Sequence, residues 1–106
     1  MSDPSPRQSP RLSTDEIKEL RREAGRWLKE LRLSRGLSQM ELQKIVAPDL
    51  QSKFVSQVEI GSQTLMSSYY EVWAGALNVD TQHFARNLMK YYNPGMFSAI
   101  FEHDKK

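Results

Sequence analysis
Between Ile17 and Leu31 the apolar residues fall at Ile17, Leu20, Ala24, Trp27, Leu28 and Leu31. Steps of three and four are the stripe of an amphipathic helix. Ser13 and Glu16 have the spacing of a capping box that opens it. Arg35-Gly36 closes it, with a cation in the last turn and a glycine for a left-handed stop. A second helix begins at Ser38, with Glu41 three residues on and Leu37 placed to staple onto Leu42. It ends by Ala47, because Pro48 has no N–H and disfavours helical backbone just before it. A third helix is expected over about Gln51 to Ile60, with Gly61 as its stop and only Phe54, Val55, Val58 and Ile60 apolar. A fourth, over about Leu65 to Leu77, buries Tyr69, Val72, Trp73, Ala76 and Leu77. Asp80 caps a fifth, with Val79 and Phe84 as a staple and Phe84, Leu88, Tyr91 and Tyr92 on its inner face. "NPG" at 93–95 then breaks the chain ahead of the apolar run "MFSAIF" at 96–101. No β-hairpin signal and no internal repeat appears. The expected class is all-α, with five helices, short turns, a flexible N-terminal arm and a short apolar C-terminal segment.

The chain has 106 residues, the size of one compact domain. Residues 1–12 hold three Pro and three Ser, a composition that cannot bury a core and reads as a flexible arm. Arg7 and Arg11 leave two readings of it, an inert solvated tail or an arm that touches DNA. There is no cysteine, so disulfides, thiolate metal sites and cysteine nucleophiles are excluded. With only two His besides, no metal and no cofactor is expected. No apolar stretch is long enough to span a membrane, and the N-terminus has no secretory signal. No membrane partner is expected, and the lack of cysteine fits a reducing cytoplasm.

Net charge is only +2. Residues 15–35 carry seven Lys/Arg and five Asp/Glu, while residues 36–61 carry two basic and three acidic groups. Charge alone does not mark a nucleic-acid protein. The helix pattern says more. Two short helices joined by a turn form the helix-turn-helix arrangement, in which the first crosses the sugar–phosphate backbone and the second enters the major groove. A polar face on the second helix then has a purpose.

The stretches "LKELRLSRGLSQMEL", "VSQVEIG" and "WAGALNVD" carry a resemblance to the lambda-repressor-like (Cro/repressor, or XRE) helix-turn-helix family. It covers about Gly25 to Phe84. It implies a compact five-helix DNA-binding domain over 13–92, a helix-turn-helix at about 38–60, and a tail over 93–106. Two departures stand out. Ala47-Pro48-Asp49-Leu50 makes the turn longer than the family's usual one, with Gln51 where a Ser or Thr cap is common and Asp49 as the alternative cap. Ile60 stands where a basic residue is common.

The resemblance aligns Ser52, Lys53, Ser56 and Gln57 with positions that face bases. Gln matches the major-groove edge of adenine, Lys suits guanine, and Ser suits either. The residues alone are equally explained as solvated helix positions. Gln39 aligns with a phosphate-contacting glutamine at the start of the second helix, with Arg35 and Ser62 as further phosphate contacts and Ser38 as a cap. Arg32 and Glu59 align with an ion pair between the first and third helices, which neutralises a carboxylate on the reading helix. Val55, Val58, Leu42, Ile45, Val46, Leu31, Trp27 and Trp73 are expected in the core, and His83 on the surface.

Tyr91, Tyr92, Met96, Phe97, Ile100 and Phe101 either fold back on the core or form a dimerisation patch. A two-fold dimer sets two recognition helices about 34 Å apart. The expected function is that of a sequence-specific regulator of transcription, binding double-stranded DNA as a homodimer on a pseudo-palindromic operator in the cytoplasm of a bacterium or phage-infected cell. The alternative is an antitoxin-like interaction module that holds a protein partner. RNA polymerase and a toxin are the partners these two readings imply. An enzyme is not expected, because the chain has no phosphate-binding glycine loop, nucleophile elbow or metal cluster.

Overall fold
A computed structural model describes residues 12–50 and 53–102. The expectations for the arm at 1–11, for Gln51 and Ser52, and for residues 103–106 lie outside the described residues. Among the described residues six α-helices follow one another: α1 (Thr14–Ser34), α2 (Gln39–Val46), α3 (Phe54–Ile60), α4 (Tyr70–Leu77), α5 (Thr81–Tyr92) and α6 (Pro94–Phe101). One 3-10 turn, Ser67–Tyr69, leads into α4. The described residues contain no strand.

Local chemistry fixes the helix ends. The Ser13 hydroxyl accepts from the Glu16 amide at 3.1 Å, and the Glu16 carboxylate accepts from the Ser13 amide at 2.7 Å. Ser38 and Glu41 form the same reciprocal box at 3.0 and 2.8 Å. The Asp80 carboxylate accepts the His83 amide at 2.9 Å and starts α5. After α1 the chain turns through Gly36 at φ 72°, where a side chain would be strained.

The helices enclose one core. Ala24 and Leu28 of α1, Leu42 and Val46 of α2, and Val55 and Val58 of α3 meet Trp73 and Leu77 of α4 and Phe84 and Leu88 of α5. Trp73 is fully buried, packs edge-on against Phe54 at 5.8 Å, and its Nε1–H has no hydrogen-bond partner among the described residues. It is there for its volume. α1 packs along both α3 and α5.

Five expectations need correction. The "MFSAIF" run is a sixth helix, because Pro94 is tolerated in a first turn and the Asn93 side chain caps the Met96 amide at 3.3 Å. The fourth helix is shorter than expected, with only a 3-10 turn ahead of Tyr70. α3 begins at Phe54 rather than near Gln51; its N-cap residue is Lys53, with no side-chain cap bond. Ile45 is 49% exposed, because α2 turns Leu42, Gln43 and Val46 inward instead. Val72 is 38% exposed, on the flank of α4 away from Trp73 and Ala74.

Candidate functional site
The seven residues of α3 divide into two faces at helical period. Val55, Val58 and Glu59 are buried. Lys53 is exposed just before the helix, and Ser56 and Gln57 are partly exposed on its outer flank. Three of the four residues assigned to bases thus share one outward strip, and Ser52 lies outside the described residues.

What holds this short helix is largely foreign to it. The Gln43 side-chain carbonyl accepts the Val55 amide at 3.1 Å, while its amide donates to the Leu50 carbonyl at 3.2 Å. Gln43 is 5% exposed. From inside α2 it caps α3 and pins the turn between them. The sequence reading missed it, since a glutamine inside a helix gives no local capping signal.

A second brace lies at the other end of α3. Arg32 grips Glu59 through two bonds, Nε to Oε2 at 2.7 Å and Nη2 to Oε1 at 3.0 Å. Their side chains are 6% and 2% exposed. Arg32 Nη1 also donates to the Leu37 carbonyl at 2.7 Å, and Gln39 Nε2 donates to Glu59 Oε1 at 3.0 Å. A buried charge pair with its further hydrogen-bonding capacity in use avoids the penalty of an isolated charge. The cluster joins α1, the start of α2 and the end of α3, and one of Gln39's two amide hydrogens is committed to it.

Two glycines let α1 and α3 touch by backbone. A Cβ on Gly25 would overlap the carbonyl group of Glu59 and lie 2.9 Å from the Val58 oxygen. Gly61 turns left-handed at φ 85°, and a Cβ there would lie 2.9 Å from the Arg22 nitrogen.

The remaining assigned residues have specific neighbours. Arg35 directs its Nε to the Leu77 carbonyl at 2.8 Å, tying the end of α1 to the end of α4. The Ser62 hydroxyl lies 2.6 Å from Gln57 Oε1 and 3.2 Å from the Gln57 carbonyl oxygen. Its single hydrogen serves the shorter contact, so Ser62 orients Gln57. Tyr91 and Tyr92 are partly buried and pack against the core. The Tyr92 hydroxyl accepts the Leu65 amide at 3.1 Å, and burial pushes its pKa up to about 12. Burial also raises the pKa of Tyr70. Phe97 and Phe101 stack at 5.1 Å, under Lys90 and Arg86 of α5 respectively. Met96, Ile100 and Phe101 are 48%, 58% and 44% exposed, and no residue of α6 is buried.

Clefts lined by described residues border α3 on two sides. One, of about 330 Å³, runs beside Lys53 and Gln57 and is also lined by Leu50, Phe54 and Gln63. The other, of about 260 Å³, is lined by Arg22, Arg26 and Lys29 of α1 together with Gln39, Glu59 and Ile60. Glu19 bonds Arg22 at 2.9 Å and Arg26 at 3.2 Å, and these bonds, Arg26 first, lower its pKa. The sequence reading passed over this basic row, although steps of four and three at 22, 26 and 29 put it on one side of a helix. No family model and no curated protein matches this chain.

Proposed function
We propose that the chain binds double-stranded DNA sequence-specifically and regulates transcription as a homodimer on a pseudo-palindromic operator. One observation carries the reading: α3 presents Lys53, Ser56 and Gln57 outward while its inner face is fixed by Gln43, Gly25 and the Arg32–Glu59–Gln39 cluster. A short helix with a polar outer strip and a rigid seat suits entry into the major groove. Lys53 suits guanine. Gln57, with Oε1 held by Ser62, offers its amide hydrogens to guanine O6/N7 or thymine O4. The sequence resemblance to lambda-repressor-like proteins points the same way.

Selection of bound duplexes from a random pool, followed by affinity measurements on the winning site, tests the reading. Lys53→Ala and Gln57→Ala are each expected to weaken that site by about 1–3 kcal/mol and to leave unrelated duplex largely unaffected. A pool that never enriches a sequence removes the proposal.

The exposed strip of Met96, Ile100 and Phe101 supports the dimer, and it equally suits the alternative in which a protein partner covers α6. Co-purification of a partner that depends on Phe97 and Phe101 favours the interaction module; a homodimer that Ile100→Glu converts to monomer favours the operator-binding dimer.

A further inference from the structure
We propose that Arg22, Arg26 and Lys29 form a cationic track on α1 that grips the DNA backbone flanking the bases read by α3. The inference rests on the DNA-binding reading and adds residues to it. Three observations place the track.

The first is continuity. The three cations share one cleft with Gln39 and Ile60. Ile60 is 61% exposed and ends α3, so the cleft opens directly beside the reading strip. A duplex seated on Lys53, Ser56 and Gln57 carries one negative charge per about 1.7 Å of axis, so its backbone passes close to such a neighbour.

The second is charge. Glu59 lines the same cleft, but Arg32 neutralises it through two bonds, and Gln39 donates a third. Glu19 is the only carboxylate paired with the track among the described residues, and it holds both Arg22 and Arg26. Lys29 has no ion pair among the described residues. Three cations against one paired carboxylate leave the cleft positive. The chain's low net charge has concealed this, because acidic residues elsewhere on α1 offset it.

The third is what the other phosphate candidates are doing. Arg35 bonds the end of α4 and Ser62 bonds Gln57. The guanidiniums of Arg22 and Arg26 are side by side and solvent-facing, and their fork geometry suits phosphate oxygens. Glu19 acts as their aligner.

The test uses the full chain, the selected duplex and an unrelated duplex, with affinity followed between about 50 and 200 mM salt. Arg26→Gln and Lys29→Gln are each expected to lower the slope of log affinity against log salt by about 1, on both duplexes alike. The ratio of specific to non-specific binding stays unchanged. Arg26→Lys keeps the slope, and Arg21→Gln, on the same helix but outside the lining of this cleft, leaves it as in the wild type. Helicity and melting temperature confirm that the variants fold, as expected for exposed positions. Site selection with a slope indifferent to Arg26 and Lys29 overturns the track alone. A loss confined to the selected duplex overturns it too, since it makes these residues base readers. A wild type that enriches no sequence removes the underlying reading instead.

Discussion

The side chain of Gln43 accepts the Val55 amide at 3.1 Å, so a residue of α2 supplies the cap that α3 lacks. Lys53, at the N-cap position, has no side-chain oxygen with which to do so. Gln43→Leu keeps the volume but leaves the buried Val55 amide without this acceptor and the Leu50 carbonyl without this donor. A loss of about 1–3 kcal/mol in denaturant unfolding is expected. An unchanged midpoint would show that the turn is held by other means.

Arg32 and Glu59 make a prediction about pairs. Glu59→Ala strands a buried guanidinium and is expected to cost about 3–5 kcal/mol. The joint change Arg32→Met with Glu59→Leu removes both charges, and is expected to cost less than Glu59→Ala alone. A double-mutant cycle in denaturant reads the coupling.

Two helical glycines are expected to respond with opposite sign. Gly25→Ala forces α1 off the Glu59 carbonyl and is expected to cost about 3 kcal/mol or more. Gly75, in α4, has nothing within 4 Å of an added Cβ. Gly75→Ala is expected to stabilise by about 0.5–1 kcal/mol, since only the unfolded chain's freedom changes. Thermal melts of the two variants settle both signs.

How far the sequence discloses this molecule depends on the range of each interaction. Ser13, Ser38 and Asp80 bond residues three positions away, so their caps are legible as spacing. Gly36 and Gly61 mark their turns for the same reason. The Gln43–Val55 bond spans twelve positions across a turn, and the Gly25–Glu59 contact spans two helices; neither leaves a local pattern. Ile45 misleads because periodicity in an eight-residue helix does not say how wide the buried stripe is. In the candidate site, the outward strip of Lys53, Ser56 and Gln57 follows from where Val55 and Val58 must go. The bond from Ser62 to Gln57 depends on the path of the chain after Gly61, which no spacing records.

Tyr92 gives an alkaline prediction. Its folded pKa, near 12, lies above the ordinary value of 10.0, so the native state holds the phenolic proton more tightly than the unfolded chain does. Its contribution is complete below about pH 10 and declines as pH rises toward 12. Tyr92→Phe is expected to flatten this alkaline decline in a series of melts, and to lower stability at neutral pH by about 1–3 kcal/mol because the Leu65 amide loses its acceptor.

Ser62 separates two roles by one measurement. If its hydroxyl aligns Gln57, Ser62→Ala releases the Gln57 carbonyl and shifts base preference at one operator position, with the salt slope unchanged. A phosphate contact would instead change affinity uniformly across sequences. Repeating the duplex selection with the variant tells them apart.

Bare backbone at Gly25 and Gly61 makes α1 and α3 a single lever. At these two points there is no side chain to yield, so a shift of α1 is expected to carry α3 with it.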